Sequence, residues 1–267
     1  MVEVEPTPPD WIPSMNRCGA IWAPSQWVAD RFREDGVTVP IFVSGYGIDQ
    51  RVHYPVAGRE ANYGTLRVGI WGDSFGSRKR VLAALQCFID ANLPDAVCEI
   101  KVNSRDLITP KTVTINGETE SRITIINQSW PIAAMTNWLR SLDVMIYLSG
   151  GEGYGLMPLE TMACGVPVIS GMHTGMLEYM TEDNTLTVPS DGRVEAPSYE
   201  YRFGDKGFMR ECDLDAVIDR LRWADTHRAE LLALGNRAAE DAAQFTWKRA
   251  GEQALASLRA YSLGRAA

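Results

Sequence analysis

The chain has 267 residues, 45% of them apolar and 22% charged, which fits a globular protein of one large domain or two small ones. A net charge of −8 and a pI near 5.0 leave little long-range attraction for nucleic acid or an anionic membrane, and any binding to DNA would need a local basic patch, of which Arg78-Lys79-Arg80 is the compact one. No apolar run approaches the ~20 residues that span a bilayer, and the three histidines are too scattered to make a metal motif. The five cysteines lack C-x-x-C spacing and read as buried, reduced thiols. Together with a proline-rich acidic start in place of a signal peptide, they predict a cytoplasmic chain.

Residues 20–23 read as a short strand, 25–34 as a helix capped by Ser25 with Trp27, Val28 and Phe32 on its apolar side, and 39–43 as the next strand. A glycine-containing segment, Gly45-Tyr46-Gly47-Ile48-Asp49, follows, then Val52-His53-Tyr54-Pro55. Residues 66–71 form a buried-type strand and 79–91 carry apolar side chains at helix spacing. Strands at 97–102 and 123–126, a helix at about 131–141 and a strand at 143–148 continue a βα alternation. A helix from Leu156, a strand at 166–169 and a helix at 175–180 extend it. This predicts an α/β fold with a doubly wound parallel sheet, whose ligands bind at the carboxyl ends of the strands. Residues 190–212 read as an irregular surface excursion, and helices at about 213–234 and 236–260 close the chain. Seven tryptophans (Trp22, Trp27, Trp71, Trp130, Trp138, Trp223 and Trp247) fall at expected core positions.

The most informative stretch is 150–169, where an apolar strand runs into Gly150, Gly151, Gly153 and Gly155 before a helix. Backbone N–H groups and the positive end of the helix dipole then face whatever sits on the turn, which suits a diphosphate. Two carboxylates, Glu152 and Glu160, stand eight positions apart across it. The dipole alone accounts for one of them and leaves the glycines and Pro158 unexplained. The spacing does not fit the G-x-G-x-x-G dinucleotide fingerprint.

This stretch closely resembles the E-x(7)-E segment of retaining glycosyltransferases of family four, which have the two-domain GT-B fold. The resemblance runs from about residue 18 to 260 and is strongest at 144–178; the Gly45–Asp49 and aromatic-Pro segments resemble the family's crossover, and Phe245-Thr246-Trp247 its last-helix opening. It implies that Glu152 contacts hydroxyls of a donor sugar, that the backbone of Gly153, Tyr154, Gly155 and Leu156 holds sugar and phosphate, and that Glu160 accepts from the ribose hydroxyls. The amide of Gly175 is a further implied contact, while Glu178 and Asp143 read as well as structural acids, and His173 reads as an exposed loop residue or as a donor contact.

Two departures from the family stand out. Where it carries an Arg just after the strand, this chain has Ile70 and Trp71; the run from Gly72 to Lys79 supplies Lys79, with Arg78 as a substitute cation and Arg80 as a solvated neighbour. The acceptor-binding half of the fold is essentially absent, so 1–48 reads as a shortened acceptor-side remnant, 49–244 as the nucleotide-sugar domain and 245–267 as a C-terminal helix.

The sequence thus predicts a retaining glycosyltransferase with a nucleotide-sugar as co-substrate, no other cofactor and no metal. Its open face suits a macromolecular acceptor, protein or DNA, and a compact or viral genome would favour so small an enzyme. The alternatives are a donor-binding subunit that needs a partner chain or a second copy, and a non-catalytic nucleotide-sugar-binding protein. The intact E-x(7)-E and Lys79 speak against the last. Apolar residues of the N-terminal segment (Trp11, Ile12, Trp22, Trp27) and of the last helix predict self-association or a partner chain.

Overall fold

The computed structural model describes residues 3–73, 78–103, 112–115, 117–196 and 207–265. A one-turn helix α1 (Ile12–Met15) leads to strand β1 (Ile21–Ala23), helix α2 (Gln26–Glu34) and strand β2 (Ile41–Val43). The Ser25 hydroxyl accepts the Val28 N–H and starts α2, which places Val28, Ala29 and Phe32 on one face. That face, with Ala23 and Val37, makes a small core under the parallel pair β1 and β2.

The main body begins at β3 (Leu66–Gly72), followed by α3 (Val81–Ala91), β4 (Ala96–Val102), the short hairpin β5 (Thr114–Ile115) and β6 (Glu118–Thr119), β7 (Ile123–Asn127), α4 (Ile132–Ser141) and β8 (Val144–Ile146). Helix α5 (Leu156–Ala163), β9 (Val168–Gly171), a 3-10 turn (Thr174–Glu178) and β10 (Leu186–Val188) complete the sheet. The hairpin β11 (Gly192–Glu195) and β12 (Phe208–Glu211) and three helices follow: α6 (Leu214–Thr226), α7 (Arg228–Ala242) and α8 (Trp247–Arg265).

Six strands form one parallel sheet in the order β10-β9-β8-β3-β4-β7. Leu66, Val68 and Ile70 of β3 face a core shared with α3 and α6, while Trp71 turns to the opposite face, where α4 and α5 pack. Helices on both faces explain why the strands read as near-continuous apolar runs. The chain builds outward from β3 to β7 on one side and then restarts at β8 on the other, so the loops after β3 and β8 diverge and open a crevice at their carboxyl ends. The predicted doubly wound α/β fold is therefore present, and its switch point falls between Gly72 and the glycine turn after β8.

Several local expectations change. Residues 190–212 are not wholly irregular, since β11 and β12 pair antiparallel, and Glu5 adds a bridge to Phe208. The helix expected at 175–180 is a 3-10 turn that begins at Thr174, which has a left-handed φ of 54°. The boundary expected at 235 lies inside α7; Gly235 packs so closely on the α5–β9 loop that a Cβ would sit 2.3 Å from the Gly165 carbonyl oxygen. The helices break instead at His227 and between Ala242 and Trp247. Of the seven tryptophans only Trp138 is buried, and Trp22 and Trp247 are 49% and 54% exposed. Four cysteines are buried and Cys18 is exposed, all as free thiols. Of the phosphate-loop run, residues 74–77 lie outside the described residues.

The crossover segment docks on the start of α8 through Ile48, whose N–H donates to the Phe245 carbonyl at 2.9 Å. A Cβ on Gly47 would stand 2.1 Å from the Trp247 nitrogen, closer than any backbone tolerates. Gly47→Ala should therefore lower stability by about 1–3 kcal/mol, as overpacking does, read as a lower denaturant midpoint with an unchanged slope. An unchanged midpoint would mean the two segments do not abut.

Candidate active site

Four donors converge on one oxygen of Glu152. Its Oε1 accepts from Ser149 Oγ at 2.6 Å, Tyr147 OH at 2.7 Å, Arg78 Nη1 at 3.0 Å and Lys79 Nζ. The carboxylate is 4% exposed and both cations are 8% exposed. Burial by itself raises the pKa of Glu152, but the charges of Lys79 and Arg78, with hydrogen bonds from Lys79 and Ser149, outweigh it and hold the group down at about 2. The site thus contains an ionised carboxylate in a dry setting, stabilised by the two cations predicted for the phosphate loop.

The sequence arranges this locally. Tyr147 and Ser149 lie just past β8 and project beside Glu152, while the loop after β3 returns Arg78 and Lys79 to the same point; Arg78 also donates to the Gly151 carbonyl at 2.9 Å, and its carbonyl accepts the Gly150 N–H at 2.8 Å. Lys79 Nζ stands 5.4 Å from the centre of the Trp71 ring and 5.5 Å from that of Tyr147, so an aromatic wall encloses the ammonium. Arg78 pairs in addition with Glu3, and the backbone of that N-terminal segment crosses directly over the turn: a Cβ on Gly151 would lie 1.7 Å from the Glu3 carbonyl oxygen.

The remaining turn residues act mainly through backbone. Gly155 caps α5 in the left-handed region at φ 85° with no side-chain cap, so no capping side chain covers the helix N-terminus. Its carbonyl accepts from Tyr179 OH at 2.5 Å. The Gly153 carbonyl accepts from Ser25 Oγ at 2.7 Å, and Gly175 must lack a Cβ because one would meet that same carbonyl oxygen at 2.3 Å. Tyr154 is a core residue, 2% exposed, with its hydroxyl on the Tyr46 carbonyl. Leu156 is the first residue of α5, and Gly72 closes β3 beside Val102.

Glu160 lies on the second turn of α5, with its side chain 24% exposed and its Oε1 3.9 Å from His53 Nε2. Burial lifts its pKa to about 7. Burial, then the charge of Arg140, lowers the pKa of His53, so near neutral pH a neutral imidazole faces a carboxyl that is about half ionised. Burial raises the pKa of the Tyr179 phenol, and the nearby charges of Glu152 and Glu160 add to it, so both acids lie within electrostatic reach of this one buried ring.

Arg78, Lys79 and Glu152 are thus brought into direct contact, with Gly153, Gly155 and Gly175 packed against them and Glu160 farther along α5. The structure corrects three expectations. The amide of Gly175 is occupied by the Glu152 carbonyl at 2.8 Å. Arg80 is not a solvated cation: its side chain is 18% exposed and pairs with Glu211. His173 is 6% exposed, with its pKa lowered to about 4 by burial and by Arg210. Asp143 accepts from the Arg67 N–H, Asn62 and Arg59, and Glu178 receives the Gln26 N–H at the start of α2, so both are structural acids. Ser25, Tyr147, Ser149 and Thr174 are site residues that sequence reasoning missed; the serine cap of α2 was visible, but its reach to Gly153 across 128 positions was not. Among the described residues, no group of three or more His, Cys, Asp or Glu could hold a metal ion, and no helix is long and apolar enough to cross a membrane.

A doubly wound parallel sheet with a glycine turn at its switch point is the architecture of GT-B glycosyltransferases, and solved members align over nearly the whole chain. Sucrose-phosphate synthase from Thermosynechococcus elongatus superposes with a TM-score of 0.68 at 18% identity, over 95% of this chain and 60% of that one. Anabaena HepE, solved with UDP and glucose, superposes with a TM-score of 0.70 at 14% identity, over 93% of this chain and 65% of its own. Residues 103–253, more than half of the chain, match the model for family 4 glycosyltransferases in conflict systems, and the chain belongs to that family. Among curated relatives, D-inositol 3-phosphate glycosyltransferase of Kribbella flavida is 27% identical over 130 residues, 48% of this chain. The match spans about a quarter of that relative, 26% of its length.

Removing the Glu152 carboxylate leaves Lys79 and Arg78 buried without their shared counter-charge. Glu152→Ala should therefore destabilise the chain by about 3–5 kcal/mol in denaturant unfolding, whereas Tyr147→Phe, which removes one donor of four, should cost about 1 kcal/mol. Equal losses in the two variants would contradict the charge cluster.

Proposed function

We propose that this chain is a retaining, metal-independent glycosyltransferase that moves a sugar from a nucleotide-sugar to an acceptor hydroxyl. The observation that carries the reading is the convergence of Arg78, Lys79 and Glu152 at the carboxyl ends of β3 and β8, beside an α5 N-terminus without a side-chain cap. Family membership and the UDP bound by HepE support it, and UDP-sugars are the first donors to test.

In this mechanism the donor diphosphate takes its place near Arg78 and Lys79, and Glu152 orients hydroxyls of the transferred sugar. Glu160 accepts from the ribose, and the backbone from Gly153 to Leu156, with Gly72, borders the phosphates. The acceptor hydroxyl attacks the anomeric carbon on the face from which the diphosphate departs, through an oxocarbenium-like state. A leaving phosphate oxygen takes the acceptor proton, so no side-chain nucleophile is needed. The cations and the helix terminus supply the charge stabilisation that a divalent metal would otherwise give.

The domain reading is part of the proposal: 1–48 as a shortened acceptor-side region, 49–244 as the donor domain and 245–267 as the closing helix, working in the cytoplasm. Trp11 and Trp22 of the N-terminal unit and Trp247, Leu255, Leu258 and Leu263 of α8 are exposed apolar side chains, which supports self-association or a partner chain that completes the cleft. Ile12 and Trp27 pack against the N-terminal core and leave this surface.

Calorimetric titration against UDP-, GDP-, ADP- and dTDP-sugars tests the reading. It predicts binding of one of them, unaffected by EDTA; binding that vanishes with EDTA and returns with Mn²⁺ would overturn metal independence. Lys79→Ala should cut donor turnover or hydrolysis on the order of a hundredfold, with a smaller change in donor affinity, because its charge matters most as the bond breaks. Near-normal turnover in that variant would remove Lys79 from the mechanism. Glu160 adds a pH signature. Its pKa of about 7 leaves it mostly protonated below neutrality, and an ionised acceptor binds ribose hydroxyls best. Affinity for a UDP-sugar should therefore rise from roughly pH 6 to 8 and flatten above, and in Glu160→Gln it should be flat throughout. A rise retained in that variant would refute the ribose role.

A further inference from the structure

Beside the glycine turn lies a cavity of about 730 Å³ that none of the roles above uses. It is bounded by α2, by the segments following β9 and β10, and by β12 and α6, and its lining includes Trp27, His173, Glu182, Asp191, Arg210 and Arg220. It is joined to the site through two short connections. The Glu152 N–H donates to Thr174 Oγ1 at 3.0 Å, and the Arg210 N–H donates to the Gly150 carbonyl at 2.7 Å.

His173 is the informative wall residue. Its Nδ1 lies 3.2 Å from Thr174 Oγ1, and that hydroxyl already accepts the Glu152 N–H, so its own proton is available for Nδ1. A neutral imidazole accepting at Nδ1 carries its hydrogen on Nε2. Nε2 is buried and has no hydrogen-bond partner among the described residues. Nε2 has almost no surface open to the cavity as it stands, and a small turn of the ring, which is part of the cavity wall, brings this unpaired N–H to a ligand oxygen.

The rest of the lining narrows the ligand class. Two carboxylates, Glu182 and Asp191, balance two guanidinium groups, Arg210 and Arg220, and Arg210 is further neutralised by Glu5 at 3.3 Å. A phosphorylated ligand would need an excess of cations; this set has none, and offers both donors and acceptors to a neutral, hydroxyl-rich ligand. Trp27 adds an aromatic surface suited to the C–H face of a sugar ring.

We propose that this cavity binds a neutral saccharide and that His173 Nε2 donates to one of its hydroxyls. That the saccharide is the glycosyl acceptor rests on the transferase reading; that it binds here does not.

The test uses the full chain with a panel of methyl pyranosides (gluco, manno, galacto and N-acetylglucosamine configurations), observed by saturation-transfer NMR, with UDP titrated in parallel. At least one pyranoside should receive saturation at its ring protons, and its affinity should fall about fivefold or more in His173→Ala and in Asp191→Ala, as for one lost hydrogen bond. Asp191 is exposed, so its variant keeps the test valid if the buried His173 variant fails to fold. No binding by the parent chain, binding indifferent to Asp191→Ala, or much tighter binding of glucose 6-phosphate than of the glucoside would overturn the proposal. UDP binding without pyranoside binding would sink the saccharide site alone, and pyranoside binding without any UDP binding would sink the donor reading while sparing the cavity.

Discussion

A buried carboxylate shared by two cations organises this end of the molecule. Glu152 is held ionised in a buried site by Lys79 and Arg78, and it is the carboxylate that those two cations share. Each comes from a loop that the sheet topology forces apart, one after β3 and one after β8, so the charge cluster ties the crevice together at the point where the fold opens it. Tyr147 and Ser149 complete the shell and fix which carboxylate oxygen is used. An arrangement rich in charge and poor in water is also one in which a bound diphosphate would interact strongly, because little solvent is left to screen it.

The glycines serve this cluster by allowing close approach. Gly151 lets the N-terminal segment cross the turn, Gly175 lets the 3-10 turn rest on Gly153, and Gly155 opens α5 at a left-handed φ where a Cβ would meet the Tyr179 hydroxyl at 2.7 Å. The small N-terminal unit is not an appendage. Ser25 reaches the Gly153 carbonyl and the Gln26 N–H reaches Glu178, so the start of α2 braces the turn from the far side. Through Ser44 and Gly45 the same unit also bonds to α8, which joins the two ends of the chain around the site.

Much of this was legible in the sequence because period and spacing report burial. The continuous apolar runs at 66–71 and 144–148 predicted a two-sided parallel sheet, and the glycine cluster predicted a turn at a strand end. Arg78, Lys79 and Glu152 were singled out from their types and from a family resemblance, and the fold brings the three side chains into contact. What was not legible depended on pairing across long separations. The Trp22 and Trp247 side chains sit at regular strand and helix positions yet face outward, since periodicity tells which residues share a face but not what covers it. His173 was read as exposed because a lone loop histidine gives no periodic signal, and its burial comes from the α2 and β12 neighbours that folding brings to it. The β11 and β12 pair escaped because each strand is only four residues long and its apolar side, Val194 and Met209, packs on Val4 from the far end of the sequence.

The account turns on Glu152 being both buried and ionised, and that state can be observed at the carboxyl carbon itself. In a chain carrying ¹³C-carboxyl glutamate, the resonance absent from Glu152→Gln identifies the residue, and its shift is followed as the pH is lowered. The account predicts a resonance that stays in its ionised position from neutral pH through the ordinary glutamate range and titrates only near the acid limit, with a pKa of about 2. A midpoint at or above the ordinary glutamate value of about 4.3 would mean that Lys79 and Arg78 do not hold this carboxylate, and the proposed donor site would lose its foundation.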